Sequence, residues 1–132
     1  MFGEFIFLYQ LPLIERFGLS CYGCCETIDQ RFHYLSKIKN LRRFSVSAWA
    51  DEEASAEKID KDYIYSRKPN PTPVVVGFDE KEIRKSIRQT LNIAKGCNLK
   101  FNMKDTHTLE FEIERIGKWV DIVRKETDLI WS

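Results

Sequence analysis

The spacing of apolar and polar positions changes period repeatedly along this chain. From Glu4 to Phe17 apolar residues recur at helical spacing, at Phe5, Leu8 or Tyr9, Ile14 and Phe17, and Gly18 stands where a helix would stop. Pro12 has no amide proton, so a kink or break is expected there. This stretch is too apolar for an isolated helix and implies something packed against it. Leu19 to Tyr22 then reads as a first strand. Thr27 to Ile38 returns to helical spacing, with Ile28, Phe32 and Leu35 on one face. Arg43 to Ser47 alternates Phe44 and Val46 against serines, the period of a strand. Asp51 is a good N-cap, and Glu52 and Glu53 suit the positive end of a helix that runs to about Ile59.

The same plan continues. Tyr63 to Arg67 reads as a third strand, closed by the loop Lys68-Pro69-Asn70-Pro71-Thr72-Pro73. Asp79 caps a helix whose face is Ile83, Ile87, Leu91 and Ala94, and Lys95-Gly96 ends it. Leu99 to Met103 is the fourth strand, and a last helix runs from about Glu112 to Thr127 on Ile116, Trp119, Val120 and Val123. One helix is thus followed by four βα units, which argues for parallel pairing with right-handed crossovers. Four such units make a small open sheet or half of an eight-stranded barrel.

The strands favour the barrel. A parallel strand covered on both faces is apolar nearly throughout, yet Phe44/Val46 alternate with Ser45/Ser47, and Leu99/Phe101/Met103 with Lys100/Asn102/Lys104. One apolar face for helices and one polar face suit the lumen of a barrel. The expected fold class is therefore α/β: half of a (β/α)8 TIM barrel, one leading helix and four βα units with parallel strands, forming a single domain over residues 1–132.

Composition adds exclusions. With 43% hydrophobic and 31% charged residues the chain is that of an ordered globular domain. A net charge of +1 makes no electrostatic case for nucleic acid or an anionic membrane. The N-terminal stretch carries Glu4 where a leader would be basic, reaches Glu15-Arg16 before any small-residue cleavage site, and is too short and interrupted to span a bilayer. A cytoplasmic location is expected. The four cysteines (Cys21, Cys24, Cys25, Cys97) then read as reduced thiols or ligands rather than a disulfide framework.

In parallel α/β folds the functional groups gather where strands end and helices begin. That places Cys24, Cys25 and Glu26 after the first strand and Trp49 and Asp51 after the second. Arg67, Lys68 and Asn70 follow the third, and Lys104, Asp105, His107 and Thr108 the fourth, all on one rim. Cys97 precedes its strand and belongs to the opposite pole, on the order of 15–20 Å away for a strand of this length. A thiolate metal site using Cys24 or Cys25 with His107 or Asp105 is one reading of the rim, zinc being suited to thiolate, imidazole and carboxylate. A tight turn with one buried and one exposed thiol is the other. Arg67 and Lys68 are candidates to clamp a carboxylate or phosphate, against a solvated basic turn. Trp49 reads as a cavity wall, His107 as a ligand, an acid/base group or a plain loop histidine. Cys21-x-x-Cys24 is a weak redox pattern.

The strings LPLIERFGLSCYGCCE, LRRFSVSAWAD, YIYSRKPNP and MKDTHT, in this order, resemble the C-terminal half of the uroporphyrinogen decarboxylase family, closest to its methyltransferase-like members near the corrinoid-dependent methyltransferases. The resemblance extends from about Phe5 to Arg124. Members of that family are single (β/α)8 barrels of well over twice this length, so the resemblance implies the last four βα units and the helix before them. In the zinc-dependent methyltransferases of that superfamily a His-x-Cys at a strand end and a later Cys bind a zinc that activates a thiol acceptor. Tyr22-Gly23-Cys24 resembles the His-x-Cys, with tyrosine in the place of the imidazole, and the loop Asp105 to His107 resembles the place of the later cysteine. Thr27 and Ala48 stand where relatives carry proline.

The resemblance implies methyl transfer at a metal or thiolate site with a corrinoid protein or a small thiol as acceptor. Cys24, Cys25, Glu26 and His107 would be the metal set, and Trp49, Arg67, Lys68 and Asn70 the substrate contacts. Lys104, Asp105 and His107 would be the catalytic groups. The decarboxylase's own catalytic aspartate and arginines lie in its N-terminal half, so porphyrin chemistry is not expected. A half-barrel exposes two strand edges and a polar face, which folded proteins cover. The second expectation is thus a chain without independent catalysis, completed by a separate N-terminal half or by a second copy of itself.

Overall fold

The structure, a computed structural model, describes residues 1–23 and 27–132. Four short strands form one sheet: β1 (Ser20–Tyr22), β2 (Leu41–Val46), β3 (Ile64–Arg67) and β4 (Asn98–Phe101). They pair in the order β1-β2-β3-β4, every pair parallel. Helices fill the connections: α2 (Phe32–Leu35) after a 3-10 turn, α3 (Glu52–Ile59), α4 (Thr72–Val75), α5 (Glu80–Ile93), and α6 (Glu114–Trp131) after β4. A leading π-helical turn, Phe2–Phe7, continues into α1 (Leu8–Ile14).

The pairing register sorts the strand side chains by face. Tyr22, Phe44, Tyr65 and Leu99 lie in one row and Val46, Arg67 and Phe101 in the next row on the same side. This is the side on which the core forms. Phe44, Val46 and Tyr65 are fully buried beside Leu35, Ile38 and Ile59. Leu99 and Phe101 pack on a second cluster built from Val74, Ile83, Ile87, Leu91, Trp119 and Ile122 of α4, α5 and α6. The opposite face carries the rows Cys21, Arg43, Ile64, Asn98 and Ser45, Ser66, Lys100. Neither apolar cluster draws a strand residue from those rows. Consecutive strand order with helices on a single face is a singly wound sheet, compatible with half of a barrel and unlike a doubly wound one.

Local sequence explains most of the element ends. Asp51 Oδ1 accepts from the Ala54 amide (3.0 Å) and Asp79 Oδ1 from the Glu82 amide (3.1 Å), so both expected N-caps form. Gly96 at φ +96° supplies the left-handed residue after α5. The first helix differs from expectation. It continues through Pro12, and its irregularity is the π-helical turn one turn earlier. It also ends at Ile14 rather than near Gly18. The Asn40 side-chain amide donates to the carbonyls of Ile14 (2.9 Å) and Phe17 (2.7 Å), so a residue from the β2 approach caps this helix across the fold.

Two more departures have packing causes. The helix expected over Thr27 to Ile38 shrinks to one 3-10 turn and the four residues of α2. Phe32 there stacks on Phe44 at 5.0 Å, so the aromatic contact rather than helical length holds the segment. The last helix runs past Thr127 to Trp131, whose indole N–H donates to the Leu91 carbonyl at the end of α5 (2.9 Å). Midway along the same pair, the buried Glu126 carboxylate receives Arg84 and Arg88 at 2.5 Å each. Arg88 foremost holds the Glu126 carboxyl below the usual carboxylate range, against the opposing effect of burial, with Arg84 assisting.

At the end of β1, Gly23 has φ +115°, and a Cβ there would meet the Ser45 carbonyl oxygen at 2.8 Å and the Ser45 Cβ at 2.9 Å. Neither the backbone angle nor the space admits a side chain. Gly23→Ala is expected to cost about 1–3 kcal/mol, read as a lower urea midpoint at unchanged m-value. A midpoint equal to that of the unaltered protein would mean that the end of β1 is free to move away from β2.

Candidate functional site

Because all four strands are parallel, the segments leaving their C-terminal ends lie at one rim, and contacts there tie the segments together. Lys104, after β4, places its Nζ 5.5 Å from the centre of the Trp49 ring, after β2. Trp49 is largely exposed and its amide donates to Ser47 Oγ (3.4 Å). Lys68 is half-buried, its amide donating to the Val46 carbonyl at 2.8 Å. The Asn70 side chain caps the short helix α4 by accepting from the Thr72 amide (3.1 Å). Asp105 and His107 are exposed, and His107 borders a shallow cavity of about 360 Å³ with Thr106, Thr108, Phe111 and Ile113.

Arg67 is the exception to the expected rim. The register turns it to the helix side of the sheet, where it is 5% exposed. Its Nη2 lies 2.6 Å from Glu52 Oε1, and its Nη1 donates to the Ser47 carbonyl. Glu52 Oε2 in turn accepts from Thr90 Oγ1 of α5 at 2.6 Å. The phenol of Tyr65 donates to the Glu52 carbonyl (3.4 Å), and burial first, then the Glu52 carboxylate, pushes that phenol well above its ordinary pKa. The guanidinium expected to clamp an anion is thus already matched by a carboxylate and a carbonyl behind the sheet. Lys68 and Lys104 take part in none of the ion pairs among the described residues.

The metal reading falls mostly outside the described residues, since Cys24, Cys25 and Glu26 are not among them. Among the described residues no three His, Cys, Asp or Glu side chains converge. Cys97 does lie at the opposite pole, beside Asp60 and Lys95, with its thiol against the Ala56 carbonyl at 3.7 Å. Burial, with Asp60 second, raises its pKa. Cys21 is exposed on the open face of the sheet.

Sequence reasoning missed Glu52 and Thr90 as partners of Arg67. Thr90 was the available signal: it sits on the buried stripe of α5 between Ile87 and Leu91, and a polar residue there needs a partner. The open-face cations Arg43 and Lys100 were also readable only in part, Lys100 through its alternation. A groove of about 780 Å³ bordered by described residues lies away from the Trp49–Lys104 contact. It flanks β1, lined by Phe2, Ile6, Leu13, Cys21, Tyr22 and Gly23 among others. Among the described residues no helix is long and apolar enough to cross a membrane.

The network around Arg67 is open to a double-mutant cycle. Glu52→Gln leaves a buried guanidinium without its counter-charge and is expected to cost about 3–5 kcal/mol, whereas Arg67→Met with Glu52→Leu should recover most of that loss. Equal destabilisation by the single and the paired change would show that the ion pair does not organise this corner. Comparison with known protein families, with curated proteins and with solved structures returns no match to this chain.

Proposed function

We propose that this chain is the C-terminal half of a (β/α)8 barrel of the uroporphyrinogen decarboxylase type, acting only when a second half closes it. The observation that carries this reading is the singly wound sheet with one polar face that neither apolar cluster draws on and, among the described residues, no further strand beyond β1 or β4. Exposed apolar side chains occur on the segments before β1 and after β4: Phe5, Leu8, Tyr9, Leu13, Phe17 and Leu19 on the first, Phe111, Ile113 and Ile116 on the second. Grouped exposed apolar residues mark surfaces meant for another chain. The closing half, joined to this chain or separate from it, brings four further βα units.

In the closed barrel the Trp49–Lys104 contact, Lys68 and Asn70 form part of the cavity mouth, with Lys68 and Lys104 free to meet an anionic part of a substrate. Asp105 and His107 stand beside them for proton or ligand work. Methyl transfer to a corrinoid protein or a thiol acceptor is the chemistry supported by the resemblance of the rim strings. Zinc, when bound, would activate the thiol, and Cys24, Cys25, Glu26 and His107 are the residues of this chain that would hold it. Arg67 has no part in substrate binding in this reading, because its charge is matched inside the wall.

The metal half of the proposal has a direct check. The purified chain is expected to retain about one equivalent of zinc after dialysis, and the Cys24→Ala/Cys25→Ala variant none, by elemental analysis. No retention by either protein, or equal retention by both, would remove the metal and leave the half-barrel reading standing.

A further inference from the structure

We infer that the half closing this sheet is not a second copy of the chain but a non-identical half whose inner face carries carboxylates. This rests on the half-barrel reading and deepens it by naming the partner's chemistry. None of the four strands contains an aspartate or glutamate. On the open face the register leaves Arg43 in one row and Lys100 in the next, among Cys21, Ser45, Ile64 and Ser66. Neither cation enters any of the ion pairs among the described residues, whereas Arg67, on the other face, is matched by Glu52.

An eight-stranded barrel leaves an interior just wide enough for side chains to fill. Two copies closing on each other around a two-fold axis would enclose two Arg43 and two Lys100 side chains with no strand carboxylate to meet them. Unpaired charges taken out of water are strongly disfavoured, and like charges brought together add to the penalty. A partner with acidic inward positions converts the same four strands into a matched interior. The exposed apolar residues of the segments before β1 and after β4 supply non-specific attraction to any closing half, and the cations of the open face choose among them.

The chain itself provides the probe. An Arg43→Glu/Lys100→Glu variant has the same edges and the same apolar flanks but an acidic open face. Sedimentation velocity at low ionic strength is expected to find the unaltered chain and the variant each monomeric. An equimolar mixture should form a one-to-one complex roughly tenfold or more tighter than either self-association, and it should weaken as salt is raised. Arg43→Gln/Lys100→Gln, which removes the repulsion without reversing it, should self-associate measurably and confirms that substitution on this face leaves the fold intact. Tight self-association of the unaltered chain, with β1 and β4 amides protected from exchange, would overturn the inference and keep the half-barrel reading. Absence of association in the mixture and in the glutamine variant would overturn the half-barrel reading itself.

Discussion

The buried ion pair between Arg67 and Glu52 is the contact on which the arrangement of this fold depends. Arg67 ends β3, Glu52 begins α3, Thr90 lies in the last turn of α5, and the Ser47 carbonyl directly follows β2. One guanidinium and one carboxylate thus join two strands and two helices at the rim end of the sheet. Such a pair gains little over a well-packed apolar one, but a broken half is costly, so it constrains which helix can lie over which strand. It also matches the charge of Arg67 with a carboxylate, while Lys68 and Lys104 enter none of the ion pairs among the described residues.

That pair also explains where reading the sequence succeeded and where it stopped. The order of elements, the N-caps at Asp51 and Asp79 and the apolar stripe of α5 are local signals, and each appears in the structure. The two-faced character of the sheet was legible from the alternation around Phe44 and Leu99. What was not legible depends on distant partners. Arg67 looked like a rim residue because its strand ends there, and only the pairing of Val46 with Arg67 turns its side chain inward. The stop of the first helix is set by Asn40, 26 residues beyond Ile14. The length of α6 follows from where Trp131 meets α5.

The candidate site divides in the same way. Parallel pairing was sufficient to bring Trp49, after β2, and Lys104, after β4, to one rim, and they meet. It was sufficient to send Cys97 to the other pole. Asn70 and Arg67, by contrast, are taken up by internal structure, a helix cap and an ion pair, as polar residues at strand ends often are. Gly23 is held against β2 at a position where a side chain cannot be accommodated. The thiol chemistry expected after it rests on Cys24, Cys25 and Glu26, which lie outside the described residues.

A sheet with helices on one face, cations and serines on the other, and no further strand on either edge among the described residues is the central feature of this molecule. Amide hydrogen exchange on the isolated chain tests it most directly. The account predicts strong protection for the ladder amides of β2 and β3, and exchange faster by about two orders of magnitude or more along the outer sides of β1 and β4. Uniformly strong protection across all four strands of the monomer would contradict it, because the edges would then already be covered.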